Sequence, residues 1–201
     1  EDNAVAHGRA ERFRLDFHVP GRLRNLLLWL PDEERELCTD HVEVRTMAVG
    51  LNFRDVMYLM GLLPDEALEK GFAGPTLGLE FSGVVTRVGS AVDSLKPGDR
   101  VMGFGPACFS SHVVTPSHAL MPMPEGWTFE AAATVPTVFL TSYYALKHLA
   151  DLQPGERVLI HGGAGGVGMS AIQLARHLGA EVFATAGSDV KRDLVRLLGA
   201  D

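Results

Sequence analysis

Gly163, Gly165 and Gly168 stand as G-x-G-x-x-G between an apolar, β-branched run opening at Arg157 and a stretch over 169–178 whose apolar residues recur at helical spacing. The order reads strand, tight turn, helix, and a second strand is predicted over 181–186. Glycines at this spacing let a backbone turn sharply, approach a pyrophosphate and seat a helix closely on a strand. The free N–H groups of the first helical turn then face the phosphates, which adds Gly166 and Val167 to the expected contacts. A glycine-rich loop that merely closes a β-α turn is the alternative. The context favours a nucleotide, because Val167, Ala171, Leu174, Ala175 and Leu178 form one helical face between two strands.

The kind of nucleotide turns on the residues about 20 positions past the glycines, where an acid commonly holds the ribose 2′-hydroxyl of NAD. Here the chain reads Ala186, Gly187, Ser188, Asp189, Val190, Lys191, Arg192. A hydroxyl and two cations suit a 2′-phosphate, since a guanidinium or ammonium stabilises the dianion that a carboxylate would repel. Ser188, Lys191 and Arg192 are therefore candidate contacts, and NADPH is favoured over NADH. Two alternatives stay open. Asp189 is the acid, displaced by a longer turn, or the two cations are the solvated face of a helix carrying Val190, Leu194, Leu197 and Leu198.

Composition bounds the remaining possibilities. A length of 201 residues allows one large domain or two small ones, and 46% hydrophobic with 21% charged residues is ordinary for a globular chain. A formal charge of −7 provides no basic footprint for nucleic acid or an anionic membrane. No apolar run approaches the roughly 20 residues of a membrane span, and no signal segment opens the chain, so a cytoplasmic location is expected. Cys38 and Cys108 stand far apart, which excludes a disulfide framework and a four-cysteine zinc site. The chain opens Glu1-Asp2-Asn3 without an initiator methionine and reads as a piece of something longer.

The elements that must position these residues fall into two groups. As far as Glu125 the sequence reads as short strands between turn residues: 13–19, 42–48 and 84–88 alternate apolar and polar, a Pro-Gly-Asp turn in 94–104 feeds another strand, and 112–115 is one more. This predicts an irregular β-barrel or sandwich. Residues 52–62 are the exception, a predicted helix with Phe53, Val56, Met57 and Met60 on one face. From Thr128 a long apolar helical stretch runs on, interrupted at Pro136, and Gln153-Pro154-Gly155-Glu156 leads into the strand before the glycine loop. The expected division is a β domain over 1–126 and a nucleotide-binding domain over 127–201.

A β-rich domain ahead of such a β-α-β unit resembles the medium-chain dehydrogenase/reductase superfamily, in which a GroES-like barrel precedes a Rossmann domain. The segments LNFRDVMYLMG (51–61), LGLEFSGVVTRVG (77–89), LKPGDRVMGF (95–104), AAATVPTVFLTSYYAL (131–146) and HGGAGGVGMSAIQLARHLGAEVFATA (161–186) are similar to the enoyl reductase domain of polyketide synthases. The resemblance runs from about Phe13 to the end. It implies an α/β plus β fold, a GroES-like barrel followed by the first half of a Rossmann domain, and NADPH-dependent reduction of a 2-enoyl thioester. The partners implied are an acyl carrier protein bearing that substrate on phosphopantetheine, and the other domains of the synthase. Hydride would pass from nicotinamide C4 to the β-carbon, and the enolate would be protonated at the α-carbon. The cofactor supplies the hard step, so protein groups have only to orient, polarise and deliver a proton.

Site residues follow from the same resemblance. Asn52, in NFRDV, is the first catalytic candidate, an amide able to donate to nicotinamide or to a substrate oxygen; capping the following helix is its alternative. Thr141 stands where related reductases bring a hydroxyl near the nicotinamide carboxamide, or else bonds back to the preceding helical turn. Arg54 and Asp55 are expected to pair with each other or with neighbouring loops. Alcohol dehydrogenases of the superfamily carry a zinc-ligating histidine where this chain has Leu79, between Gly78 and Glu80, and no compact set of the histidines replaces it, so no metal is expected. Many polyketide enoyl reductases have a tyrosine at the position of Leu63, tied to the configuration of an α-methyl branch; leucine donates no proton, so the opposite configuration is expected, with Tyr58 as a substitute donor or a packing residue. The lysine and aspartate proposed as donors in the family would lie beyond Asp201. A freestanding quinone or enone reductase, and a non-catalytic nucleotide-binding fragment, are the competing functions.

Overall fold

The computed structural model describes residues 12–17, 19, 21, 28–31, 36–69 and 71–201, with backbone only at 28–31 and 67. The chain divides into two compact units, one running to Thr134 and the other comprising Val135–Asp201.

The first unit is built on a five-stranded antiparallel sheet in the order β6-β3-β4-β5-β7, formed by β3 (His41–Val49), β4 (Glu80–Val88), β5 (Arg100–Phe104), β6 (His112–Pro116) and β7 (Leu120–Pro122). Val42, Val44, Phe81, Val85, Val101 and Val113 supply its core and are almost wholly buried. Branched and aromatic side chains fill a pleated, half-buried surface well. Breaks in register at Glu43/Val44 and Thr46/Ala48 bend β3 across β4. A short ribbon of β1 (Phe13–Asp16) and β2 (Leu28–Pro31) is tied on by the Leu15 N–H, which donates to Phe109 O at 2.8 Å.

β4 is longer than the 84–88 predicted, and burial explains why. Glu80, Phe81, Ser82 and Gly83 are all buried, so both faces of that half are covered and apolar alternation disappears. One cover is α3 (Phe129–Ala133), whose Phe129 carbonyl accepts from the Ser82 hydroxyl at 2.6 Å. Gly83 has to lack a side chain, since a Cβ there would meet Arg45 O and come within 2.8 Å of Val44 Cγ1.

α1 (Phe53–Leu59) corrects the predicted helix in length and in phase. It stops short because Gly61, at φ +68°, turns the chain back, with the Leu62 N–H on Met57 O and the Gly61 N–H on Tyr58 O. Its buried residue is Asp55, whereas Phe53 is 75% exposed and Val56 and Met60 also face outward. Apolar periodicity was a misleading guide because a carboxylate with specific partners occupies the inner face. A short helix, α2 (Asp65–Glu69), follows.

The second unit opens with α4 (Pro136–Tyr143), where Pro136 occupies the first turn and costs no hydrogen bond. The helix runs on into a π-helical segment, Tyr144–Leu149. β8 (Arg157–Ile160) and β9 (Glu181–Ala184) then pair in parallel, joined by α5 (Gly166–His177), and α6 (Asp189–Leu197) comes last. Ile160, Ile172, Ala175, Val182 and Val195 form the core. Small alanines on α5 let it lie close to the strands. The second strand ends at Ala184, not at residue 186, and α5 starts at Gly166, three positions earlier than the 169–178 predicted, because the glycine loop itself supplies the first helical turn.

Candidate active site

The glycine loop sits at the C-terminal end of β8, the end at which open α/β sheets bind ligands. Gly162, which stands outside the G-x-G-x-x-G spacing, has φ +67° and makes the turn. Gly163 lies over the core instead, where a Cβ would come within 2.9 Å of Ala184 Cβ and 3.0 Å of Val195 Cγ1. Gly168 seats α5 on the loop, since a Cβ there would stand 2.7 Å from Gly163 Cα. Gly165 differs from both. The nearest atom to its would-be Cβ is Gly162 O at 3.4 Å, an ordinary contact, so its face of the loop is open.

Thr185 braces the loop from the end of β9. Its carbonyl accepts from the Gly163 N–H at 2.9 Å and its hydroxyl from the Gly162 N–H at 3.1 Å. The first bond of α5 runs from the Met169 N–H to Gly165 O, so the N–H groups of Gly166, Val167 and Gly168 precede the helical ladder. They form the positive end of a twelve-residue helix. An anion placed over Gly165 would meet those donors without displacing a side chain.

No carboxylate occurs between Ala184 and Ser188, where β9 gives way to α6. Ser188 caps α6, its hydroxyl accepting from the Lys191 N–H at 3.4 Å. Asp189 is bonded to the Arg192 guanidinium, which also reaches Ala186 O at 3.4 Å, and both Lys191 and Arg192 are exposed. The apolar face expected of this helix is out of phase. Val195 is buried, while Val190 and Leu197 are more than 80% exposed, so the two cations do not simply oppose a buried Val190–Leu197 stripe. Thr141, exposed on α4, donates its hydroxyl to Thr137 O at 2.7 Å, which leaves only its lone pairs for a ligand.

In the first unit Asn52 precedes α1 in extended conformation, and its side chain makes no cap. The amide Nδ2 instead donates to Glu80 Oε1 at 2.9 Å. Arg54 donates to the carbonyls of Thr76, at 2.6 Å, and Gly74, and lies 3.7 Å from Asp55. Asp55 Oδ1 accepts from the Gly78 N–H at 2.9 Å, whereas Oδ2 is buried with no partner, and burial raises the carboxyl above its usual range despite Gly78 and Arg54. Both residues thus pair with each other and with the loop ahead of β4. Tyr58 packs, its ring edge-on to Phe17 at 4.8 Å and its hydroxyl on Pro75 O at 3.0 Å. Cys108 is buried with its thiol pushed well up by burial. Among the described residues no three His, Cys, Asp or Glu side chains gather closely enough to hold a metal ion.

Sequence reasoning missed Gly162, Thr185 and Glu80. The Gly162-Gly163 doublet was visible but ambiguous, and Thr185 lies far away in sequence. Glu80 had been read only as the neighbour of an absent histidine.

An antiparallel GroES-like domain followed by a parallel β-α-β unit with this loop is the arrangement of the medium-chain dehydrogenase/reductase superfamily, which the chain resembles. Residues 39–125 match the alcohol dehydrogenase GroES-like domain. The chain is 47% identical over 193 residues to the pikromycin polyketide synthase component PikAII of Streptomyces venezuelae, covering 94% of this chain and 5% of that protein. The CurK enoyl reductase structure superposes with a TM-score of 0.87 at 39% identity, over 95% of this chain and 58% of that one. The Escherichia coli quinone oxidoreductase complexed with NADPH does so at 0.78 and 32% identity, over 94% and 56%. The chain therefore spans a small part of the synthase and rather more than half of each reductase.

Proposed function

We propose that this chain is part of an enoyl reductase domain of a modular polyketide synthase, which reduces a 2-enoyl thioester carried on an acyl carrier protein at the expense of NADPH. The domain division read from sequence belongs to this proposal: a GroES-like substrate and catalytic domain over 1–126, and an NADPH-binding Rossmann portion over 127–201. The observation that carries it is the open face of the loop at Gly165 beneath the N–H groups of Gly166, Val167 and Gly168, in a chain whose relatives include synthase components and enoyl reductases. The residues fit a dinucleotide, because the loop offers donors and space where a pyrophosphate needs both.

When bound, NADPH supplies hydride to the β-carbon of the substrate. Ser188, Lys191 and Arg192 hold the adenosine 2′-phosphate, with no carboxylate at the end of β9 to repel it. Thr141 accepts from the nicotinamide carboxamide. Asn52 is the catalytic candidate, its amide able to donate to nicotinamide or to a substrate oxygen where charge develops. An acyl carrier protein and other domains of a synthase are the chain's partners, and it acts in the cytoplasm. No helix among the described residues is long and apolar enough to cross a membrane.

The test is NADPH oxidation by the full-length protein with crotonyl-pantetheine, followed by nicotinamide absorbance. Consumption of NADPH with saturation in the thioester is expected. A folded, NADPH-binding protein that leaves the thioester untouched would sink the reading. Quinone reduction is the second reading, favoured by the likeness to the E. coli quinone oxidoreductase. Faster turnover of a small quinone than of the thioester would establish it instead.

A further inference from the structure

We propose that Glu80 is a positioning residue, a buried carboxylate that fixes the amide of Asn52 and thereby the hydrogen-bonding groups Asn52 presents to substrate or cofactor; this rests on the catalytic reading of Asn52 given above. Glu80 begins β4, is 3% exposed, and accepts from Asn52 Nδ2 at 2.9 Å. Burying an ionised carboxylate is costly unless its oxygens are hydrogen-bonded, so a residue of this kind persists where a specific donor meets it. The surroundings are shaped to admit it. A Cβ on Gly50 would stand 2.6 Å from Glu80 Cδ, so the glycine leaves the space that the carboxyl fills.

The backbone locks both ends of the contact. The Gly50 N–H donates to Glu80 O at 3.1 Å, and the Asp55 N–H donates to Asn52 O at 3.0 Å. Asn52 makes no side-chain cap, so its amide is committed to Glu80 and not to α1. A carboxylate only accepts, and an amide donates only through nitrogen, so Nδ2 must face Glu80 and the amide has one orientation. Because Asn52 is half-buried, Oδ1 and the second N–H remain for a ligand. Removing Glu80 would free the amide to flip, presenting donor and acceptor in exchanged places.

A double-mutant cycle in the full-length protein tests this, with Glu80→Leu, Asn52→Ala and the pair. Glu80→Leu is expected to lower kcat about tenfold with the KM for NADPH within about twofold, and to cause no further loss once Asn52 is alanine. Additive losses, or a folded Glu80→Leu protein with unchanged kcat, overturn the proposal. If Glu80→Leu does not fold, Asn52→Asp decides. Two adjacent carboxyls raise the pKa of one of them, so kcat falls with rising pH through an ionisation that Asn52→Asp/Glu80→Gln lacks. Superimposable pH profiles overturn the proposal. The enoyl reductase reading fails separately, when wild-type protein leaves crotonyl-pantetheine untouched; the cycle is then run on quinone reduction, where the same pattern of losses supports or overturns the role of Glu80.

Discussion

The glycines between β8 and α5 are glycines for different reasons, and substitution separates them. Gly168→Ala forces a methyl onto the backbone of Gly163, and Gly163→Ala pushes one against Ala184 and Val195. Each is expected to lower stability by about 1–3 kcal/mol, the usual cost of overpacking, as read by denaturant or thermal unfolding. Gly165→Val puts its Cβ in ordinary contact only, although valine is a poorer N-cap of α5 than glycine. It should leave the protein folded and weaken NADPH binding at least about tenfold, or about 1.4 kcal/mol, by filling the face the pyrophosphate would use. Unaltered binding by a folded Gly165→Val protein would refute the loop assignment. Lys191→Glu, on an exposed side chain, is expected to weaken NADPH more than NADH in titrations of the full-length protein. Equal effects would remove its role at the 2′-phosphate.

Among the elements, β3 carries a charge that its alternation conceals. Glu43 is 1% exposed, bonded by both nitrogens of the Arg12 fork at 3.0 Å and by the Thr86 hydroxyl at 2.8 Å, with Arg87 at 3.6 Å. Burial alone would raise its pKa, but Arg12, Thr86 and Arg87 together lower it below the ordinary 4.5. The folded state therefore gains stability above that value and loses it as the pH falls through the lower, folded pKa. Unfolding measured below pH 4.5 should show a steeper loss of stability in the wild-type protein than in Glu43→Gln, whose side chain does not titrate. Parallel curves would show that the ion cluster contributes nothing to acid lability.

At the scale of the whole molecule, much was legible before any coordinates. Runs of valine and threonine between turn residues marked the barrel strands, the glycine spacing marked the β-α-β unit, and the lack of an acid between β9 and Ser188 was visible as a string of letters. These features are local, so the chain order carries them. Helix α1 was misread because its inner face is held by Asp55 on the Gly78 N–H, a contact 23 positions distant in sequence. The phase of α6 was misread for a similar reason, since Val195 packs on a core assembled from β8, β9 and α5. By itself the sequence determined the order of the elements, the absence of a zinc-ligating histidine before Glu80, and a loop able to approach a phosphate. Only the tertiary structure decided which glycine turns and which leaves space, that Thr185 braces the loop, and that Glu80 holds Asn52. Those outcomes depend on groups brought together from distant strands, and sequence spacing carries no information about which of them will touch.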